Sequence, residues 1–204
     1  MRMSPKSKKT LMVIIPIVLI GLVSIMSYQL SPFFKPKEVE YIMAQWGGYS
    51  NITEAANSVE LIIVGEVSSI VKVGTGQIPS TRFEVKILEI IKKPSTFSSD
   101  SIIVEQYGAE TETKIIEVKY NPLLKVGEKV ILFLNPAINK EGFETVVYGF
   151  AGPWSRYRIV DNKVYSLDVL YTERFNGGTL DTRVDGLELG SFIDQIKGYI
   201  VGGS

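Results

Sequence analysis

The chain contains no cysteine and no histidine in 204 residues. Without cysteine there are no disulfides, no thiol nucleophile, no thiolate metal site and no residue for a lipoprotein anchor. Without histidine the usual general base near neutral pH and the commonest zinc ligand are missing. Together these absences exclude Ser-His-Asp, Cys-His and HExxH chemistry. Carboxylate, lysine and tyrosine chemistry remain open. A long repeat is also missing.

Charge of one sign is missing from the start of the chain. Residues 1–10 hold Arg2, Lys6, Lys8 and Lys9 and no acid, so 18 bases face 22 acids in the rest. That mildly acidic body is a poor match for nucleic-acid phosphates, and no nucleic-acid partner is expected. The composition, 45% hydrophobic and 22% charged, suits a folded domain.

Charge is then absent from a long apolar run. Residues 11–26 read LMVIIPIVLIGLVSIM, and the uncharged stretch continues to Phe34. About 18 to 20 helical residues reach roughly 27 to 30 Å, close to the hydrocarbon thickness of a bilayer. The stronger cationic flank precedes the run, which predicts a cytoplasmic N-terminus and a C-terminal body outside the membrane. The competing reading is a cleaved signal peptide and a secreted domain, but the run is long and Ser24-Ile25-Met26 is a poor cleavage site. The expected organisation is a basic tail (1–10), a transmembrane anchor (11–30), a linker with short helices (31–58) and an extracytoplasmic β domain (59–200). Pro32 and Pro36 stiffen the connector, and residues 37–46 are expected to form a short juxtamembrane helix. Asn51-Ile52-Thr53 is a glycosylation sequon, with Asn51 the acceptor; the plainer reading makes Thr53 a cap of the helical stretch TEAAN.

From Glu60 the pattern is β. ELIIVGEVSSIVKV (60–73) is rich in β-branched residues, and TRFEVKILEIIKK (81–93) alternates until Leu88 and Ile90 break the phase, which predicts a bulge or two-sided burial. SIIVEQYG (101–108), KIIEV (114–118), EKVILFL (128–134) and FETVVYGF (143–150) follow. SRYRIV (155–160) and KVYSL (163–167) flank Asp161-Asn162, a two-residue hairpin turn. The continuous apolar run in 128–134 predicts burial on both faces. Residues 168–186 read as irregular. Leu189, Phe192, Ile193, Ile196 and Ile200 then fit the stripe of an amphipathic helix closing the barrel or sheet. The fold class expected is mainly β: a small OB-like β-barrel or strongly twisted antiparallel sheet, with a short C-terminal helix.

The order IIVGEV, TRFEVKILEIIKK, SIIVEQYG, LLKVGEKVILFL and GPWSRYRIVDNKVYS resembles a loosely defined group of exported bacterial and archaeal proteins, mostly uncharacterised. Their layout is similar to OB-fold domains of the netrin and metalloproteinase-inhibitor kind. The resemblance covers about residues 59–168 and rests on the strand order and on Val126-Gly127-Glu128. The inhibitor families rely on disulfides and a free N-terminal cysteine, so that mode of protease inhibition does not carry over.

Candidate chemistry is sparse. Gly74-Thr75-Gly76 lacks the Gly-Lys-Ser/Thr of a nucleotide loop and reads as a hairpin connection. Ser69 and Lys72 match Ser-x-x-Lys, yet an offset of three on a strand sends the two side chains to opposite faces. Asp181 with Asp185, and Glu110 with Glu112, read as solvated loop charge before they read as hydrolytic pairs, and the same holds against a calcium site at Asp181 and Asp185. The most individual feature is Gly152-Pro153-Trp154-Ser155-Arg156-Tyr157-Arg158. On a strand, Trp154, Arg156 and Arg158 share one face, expected to point outward and to stack on a sugar or hold a carboxylate, while Tyr157 and Ile159 face the core. The plainer reading pairs the arginines with neighbouring acids and lays Trp154 over the barrel rim.

The function expected is a membrane-anchored, non-catalytic binding or assembly domain. Its partners are the lipid bilayer and, outside it, a protein or a glycan. No catalytic residue, metal site or cofactor is assigned. The alternatives are a structural accessory subunit of a membrane complex and, further behind, a carboxylate-dependent envelope hydrolase.

Overall fold

The computed structural model describes residues 36–42, 49, 51–119, 121–137, 146–150, 155–166 and 184–201. The expected basic tail and the anchor at 11–30 lie outside these residues. Among the described residues no helix is long and apolar enough to cross a membrane. The chain divides after Glu38, and the strands and helices pack within the second unit, Val39–Ser204.

Among the described residues the β pattern becomes ten strands: β1 (Glu38–Ile42), β2 (Leu61–Gly74), β3 (Ser80–Lys92), β4 (Ser101–Glu110), β5 (Lys114–Val118), β6 (Lys129–Pro136), β7 (Val147–Phe150), β8 (Arg156–Val160), β9 (Lys163–Ser166) and β10 (Leu187–Glu188). Two helices accompany them, α1 (Ile52–Ser58) and α2 (Leu189–Val201). The first of these strands corrects an expectation. Residues 38–42 are not helical, because Glu-Val-Glu-Tyr-Ile alternates with period two and finds a backbone partner beside β5. The amide of Lys119 donates to the Ile42 carbonyl at 2.9 Å.

Five strands pair in a closed circuit. Antiparallel pairs join β2 to β3, β3 to β4, β6 to β7 and β6 to β2, while β4 and β7 run parallel. The edge of β6 is shared: β7 takes Leu134–Pro136 and β8 takes Lys129–Leu132. The strands β8, β9 and β10 extend the sheet beyond β6, as β5 and β1 extend it beyond β4.

The long hairpin β2–β3 bends around this circuit through register shifts. One extra β3 residue lies at Ile91 and one at Leu88, where the alternation breaks; extra β2 residues lie at Ser68 and Val71. Each bulge adds local twist and bend. Gly65 sits where the strands close in, since a Cβ there would lie 2.5 Å from Val85 Cγ1.

Alternation sorts the apolar side chains into two cores. Leu61 and Ile63 of β2, with Val130, Leu132 and Leu134 of β6, join Phe83, Val85 and Val104 inside the circuit. Their neighbours Ile62, Val64, Ile131 and Phe133 point the other way, into a second core with Tyr157, Val164 and both helices. The first residues of β2 (61–64) and the middle of β6 (130–134) are thus buried on both faces, as the run in 128–134 suggests. The α2 stripe of Phe192, Ile193 and Ile196 belongs to the second core, so this helix covers the outer face of the sheet.

Helix α1 has seven residues, too few to persist alone in water. Its Ala55 and Ala56 are fully buried beside α2, and Lys92 donates to the Ala56 and Asn57 carbonyls at 3.0 and 2.7 Å. The N-cap is Asn51, not Thr53. The helix begins at the buried Ile52, so Asn51 is the last extended residue, and its Oδ1 accepts from the Glu54 amide at 2.8 Å. Asp161 and Asn162 have φ of 49° and 62°, the left-handed pair of the expected hairpin turn.

Candidate functional site

The strand β8 carries the sequence's most individual residues. Its alternation holds: Tyr157 enters the outer core, 4.8 Å in ring centroids from Phe192 and 5.9 Å from Phe133. Arg156 faces the opposite side, but that side is not solvent. Arg156 stands opposite Leu132, whose side chain lies inside the circuit, and is only 2% exposed. The expected outward stack is therefore corrected at this residue. Its Nη1 donates to the Pro122 carbonyl at 2.8 Å, and its guanidinium carbon lies 5.1 Å from the centroid of Phe150. Trp154 lies outside the described residues.

Arg156 shares its acceptor with a second buried polar side chain. Gln106 on β4 is 1% exposed, and its Nε2 reaches the Asn121 carbonyl, Asn121 Oδ1 and the Pro122 carbonyl at 3.2, 3.1 and 2.9 Å. Gln106 Oε1 accepts from the Leu124 amide at 3.0 Å. The loop after β5 is thus bonded to β4 and β8, and it inserts Leu123 and Leu124 into the inner core. Buried backbone groups of this loop find side-chain partners instead of water, which is what permits their burial.

Arg158 is the outer arginine. It donates to Glu128, whose side chain is 8% exposed against 39% for Arg158. The other oxygen of Glu128 accepts from the Lys125 amide at 3.0 Å. Gly127, at φ 85°, donates from its amide to the Val67 carbonyl, and the Val67 amide donates to the Glu128 carbonyl. The residues Val126-Gly127-Glu128 that carry the sequence resemblance therefore form the turn that ties β2, β6 and β8 together.

The other end of the circuit carries a cleft. The starts of β2, β4 and β7 and the ends of β3 and β6 converge there around a volume of about 530 Å3. Its lining comprises Glu60, the loop residues Pro94, Thr96, Phe97, Ser98 and Ser99, then Ser101, Ile102, Pro136, Val146 and Tyr148. Phe97 and Tyr148 meet edge to face at 6.4 Å. Tyr148 is 7% exposed, and burial, followed by the Glu60 carboxylate, raises its phenol above the ordinary value. The phenol therefore stays protonated near neutral pH, able to donate and to accept.

Sequence reasoning passed over this cleft. Its signal was faint: Pro-Ser-Thr-Phe-Ser-Ser at 94–99 reads as an ordinary polar loop, and Glu60 and Tyr148 stand 88 positions apart. The remaining candidates take local roles. Asn51 caps α1 at an exposed position. Ser69 donates to Glu84 at 3.1 Å. Asp185 accepts from the Ser166 amide at 2.7 Å, while Asp181 lies outside the described residues. Glu110 closes β4, and Glu112 follows in the turn. Among the described residues no group of three or more acidic, cysteine or histidine side chains could hold a metal ion.

No family model matches the chain, and no curated protein matches it.

Proposed function

We propose that the chain is a membrane-tethered, extracytoplasmic binding or assembly domain without catalysis of its own, built on an OB-like barrel. The circuit of strands carries this reading. Counting only its members in chain order, the circuit runs first, second, third, fifth, fourth and back to first, with the third and fifth parallel. That is the connectivity of a five-stranded OB barrel, a scaffold used mainly to present a binding surface. The basic tail and the uncharged run after it supply the tether. The contact surface expected around Trp154, Arg156 and Arg158 is narrowed to Trp154 and Arg158, with Arg156 in a supporting role inside the fold.

The test uses the full chain in its own membrane, with an epitope tag at either terminus. Protease added to intact cells should remove a tag after Ser204 and spare one before Met1, and alkaline carbonate should leave the chain in the membrane. A protected C-terminal tag would sink the proposal. Cross-linking in the same cells should yield an adduct that Trp154→Ala with Arg158→Gln diminishes. An adduct lost only when residues 11–30 are exchanged for an unrelated apolar helix would favour the accessory-subunit reading instead.

A further inference from the structure

We infer that the cleft between Glu60, Phe97 and Tyr148 is a binding site for a short, uncharged oligosaccharide. The inference deepens the binding reading above and rests on it.

The chemistry of the lining selects the ligand. Thr96, Ser98, Ser99 and Tyr148 offer hydroxyls, and each hydroxyl both donates and accepts, as a sugar hydroxyl does, while the Ser101 hydroxyl donates to Glu84 at 3.5 Å. Glu60 adds a carboxylate that accepts from two neighbouring hydroxyl groups at once. Among the described residues, the side chains of Glu60, Thr96, Ser98 and Ser99 make no hydrogen bond to the rest of the fold, so their polar groups remain available to a ligand. Beneath them the rings of Phe97 and Tyr148, flanked by Pro94 and Pro136, form apolar walls. Such walls suit the carbon-bound hydrogens of a pyranose ring.

Charge excludes the alternatives. Among the described residues the lining contains Glu60 and neither lysine nor arginine. Lys93, next in sequence to Pro94, directs its amine to the Phe97 carbonyl at 3.3 Å. A phosphate, a uronate or a nucleotide would meet a like charge without a counter-charge among the described lining residues. The volume of about 530 Å3 falls within the 300–1,000 Å3 typical of small-ligand clefts. The walls come from the β3–β4 loop, the first residues of β4 and β7 and the end of β6. The Tyr148 ring is fixed in the inner core, so the apolar wall is largely formed before a ligand arrives.

The full chain, solubilised in a detergent without sugar groups, would be titrated with chitotriose, maltotriose, cellotriose, trigalacturonate and a polyproline peptide. Saturation-transfer NMR and calorimetry read the binding. At least one neutral trisaccharide should bind with a millimolar or tighter Kd, and trigalacturonate about tenfold or more weaker. Glu60→Gln and Phe97→Ala should each weaken the neutral sugar about tenfold, and Glu60→Gln should narrow its advantage over the uronate. Lys197→Gln, on α2 and outside the lining, should leave binding unchanged. Unaltered circular dichroism confirms that the variants fold, and Tyr148→Phe, which keeps the ring, should also weaken the sugar. Failure of all three neutral sugars to bind, binding of the polyproline peptide alone, or sugar binding indifferent to Glu60→Gln and Phe97→Ala would overturn the inference. Any of these with a surface-exposed C-terminal tag removes the cleft and leaves the tethered domain standing; a protected tag removes the tethered domain itself.

Discussion

The two ends of the strand circuit are finished in different ways. At one end the loop carrying Leu123 and Leu124 is drawn inward, and Gln106 and Arg156 take up its backbone groups. At the other end the loop carrying Thr96, Ser98 and Ser99 leaves a cleft, with Tyr148 as the edge of the core and Val146 52% exposed at the rim. Both ends use polar side chains, but one set faces inward and bonds to backbone, while the other faces an open volume. A buried polar group left without its partner costs far more than an exposed one. Stability should therefore be concentrated at the closed end and tolerance at the open end.

The largest effect expected is from Gln106→Leu. It removes the partner of the Leu124 amide and a donor to three acceptors on residues 121 and 122. A loss of about 2–4 kcal/mol in urea unfolding follows from leaving several of those groups unsatisfied. A loss no greater than that from Ser98→Ala, expected within about 0.5 kcal/mol, would erase the contrast between the ends. Glu128→Gln comes next. It removes the charge facing Arg158 while keeping an oxygen for the Lys125 amide. Because the Arg158 side chain is 39% exposed, solvent screening limits the loss to about 1 kcal/mol, and a double-mutant cycle with Arg158→Gln isolates it.

The smallest effect is one of pH. The Tyr148 phenol is raised above 10.0 in the folded chain, so the folded state holds this proton longer than the unfolded chain does. Its contribution is complete below pH 10 and is lost as pH rises through the raised folded value. Lys92, lowered from 10.5 by burial, has the opposite slope, gaining stability with rising pH. The measurement is therefore the difference between wild type and Tyr148→Phe in alkaline urea melts. Tyr148→Phe should remove the alkaline decline assigned to this residue, and a difference independent of pH from 8 to 11 would show that burial there does not favour the protonated phenol.

Much of this was legible without coordinates. The alternation of Phe83, Val85 and Ile87 against Arg82, Glu84 and Lys86 located β3, and the phase break at Leu88 located a bulge. The stripe from Leu189 to Ile200 located α2, and Asp161-Asn162 located a turn. The two larger misreadings share one cause. Residues 38–42 took a strand because an edge beside β5 was available, and Arg156 is internal because the loop at 121–124 lies against its face of β8. Period-two alternation separates the two faces of a strand; it does not say what covers either one.

The same division holds for the chain as a whole. Composition by itself removed histidine- and cysteine-dependent chemistry, because a missing side chain cannot be supplied by folding. Local periodicity determined most of the strands and α2, because those preferences act between residues a few positions apart. Only the tertiary structure decided which strands close the circuit, which arginine is inside, and that Glu60, Phe97 and Tyr148 line one cleft. Those outcomes depend on pairing between segments tens of residues apart, where the burial of one surface is defined only by the arrival of another.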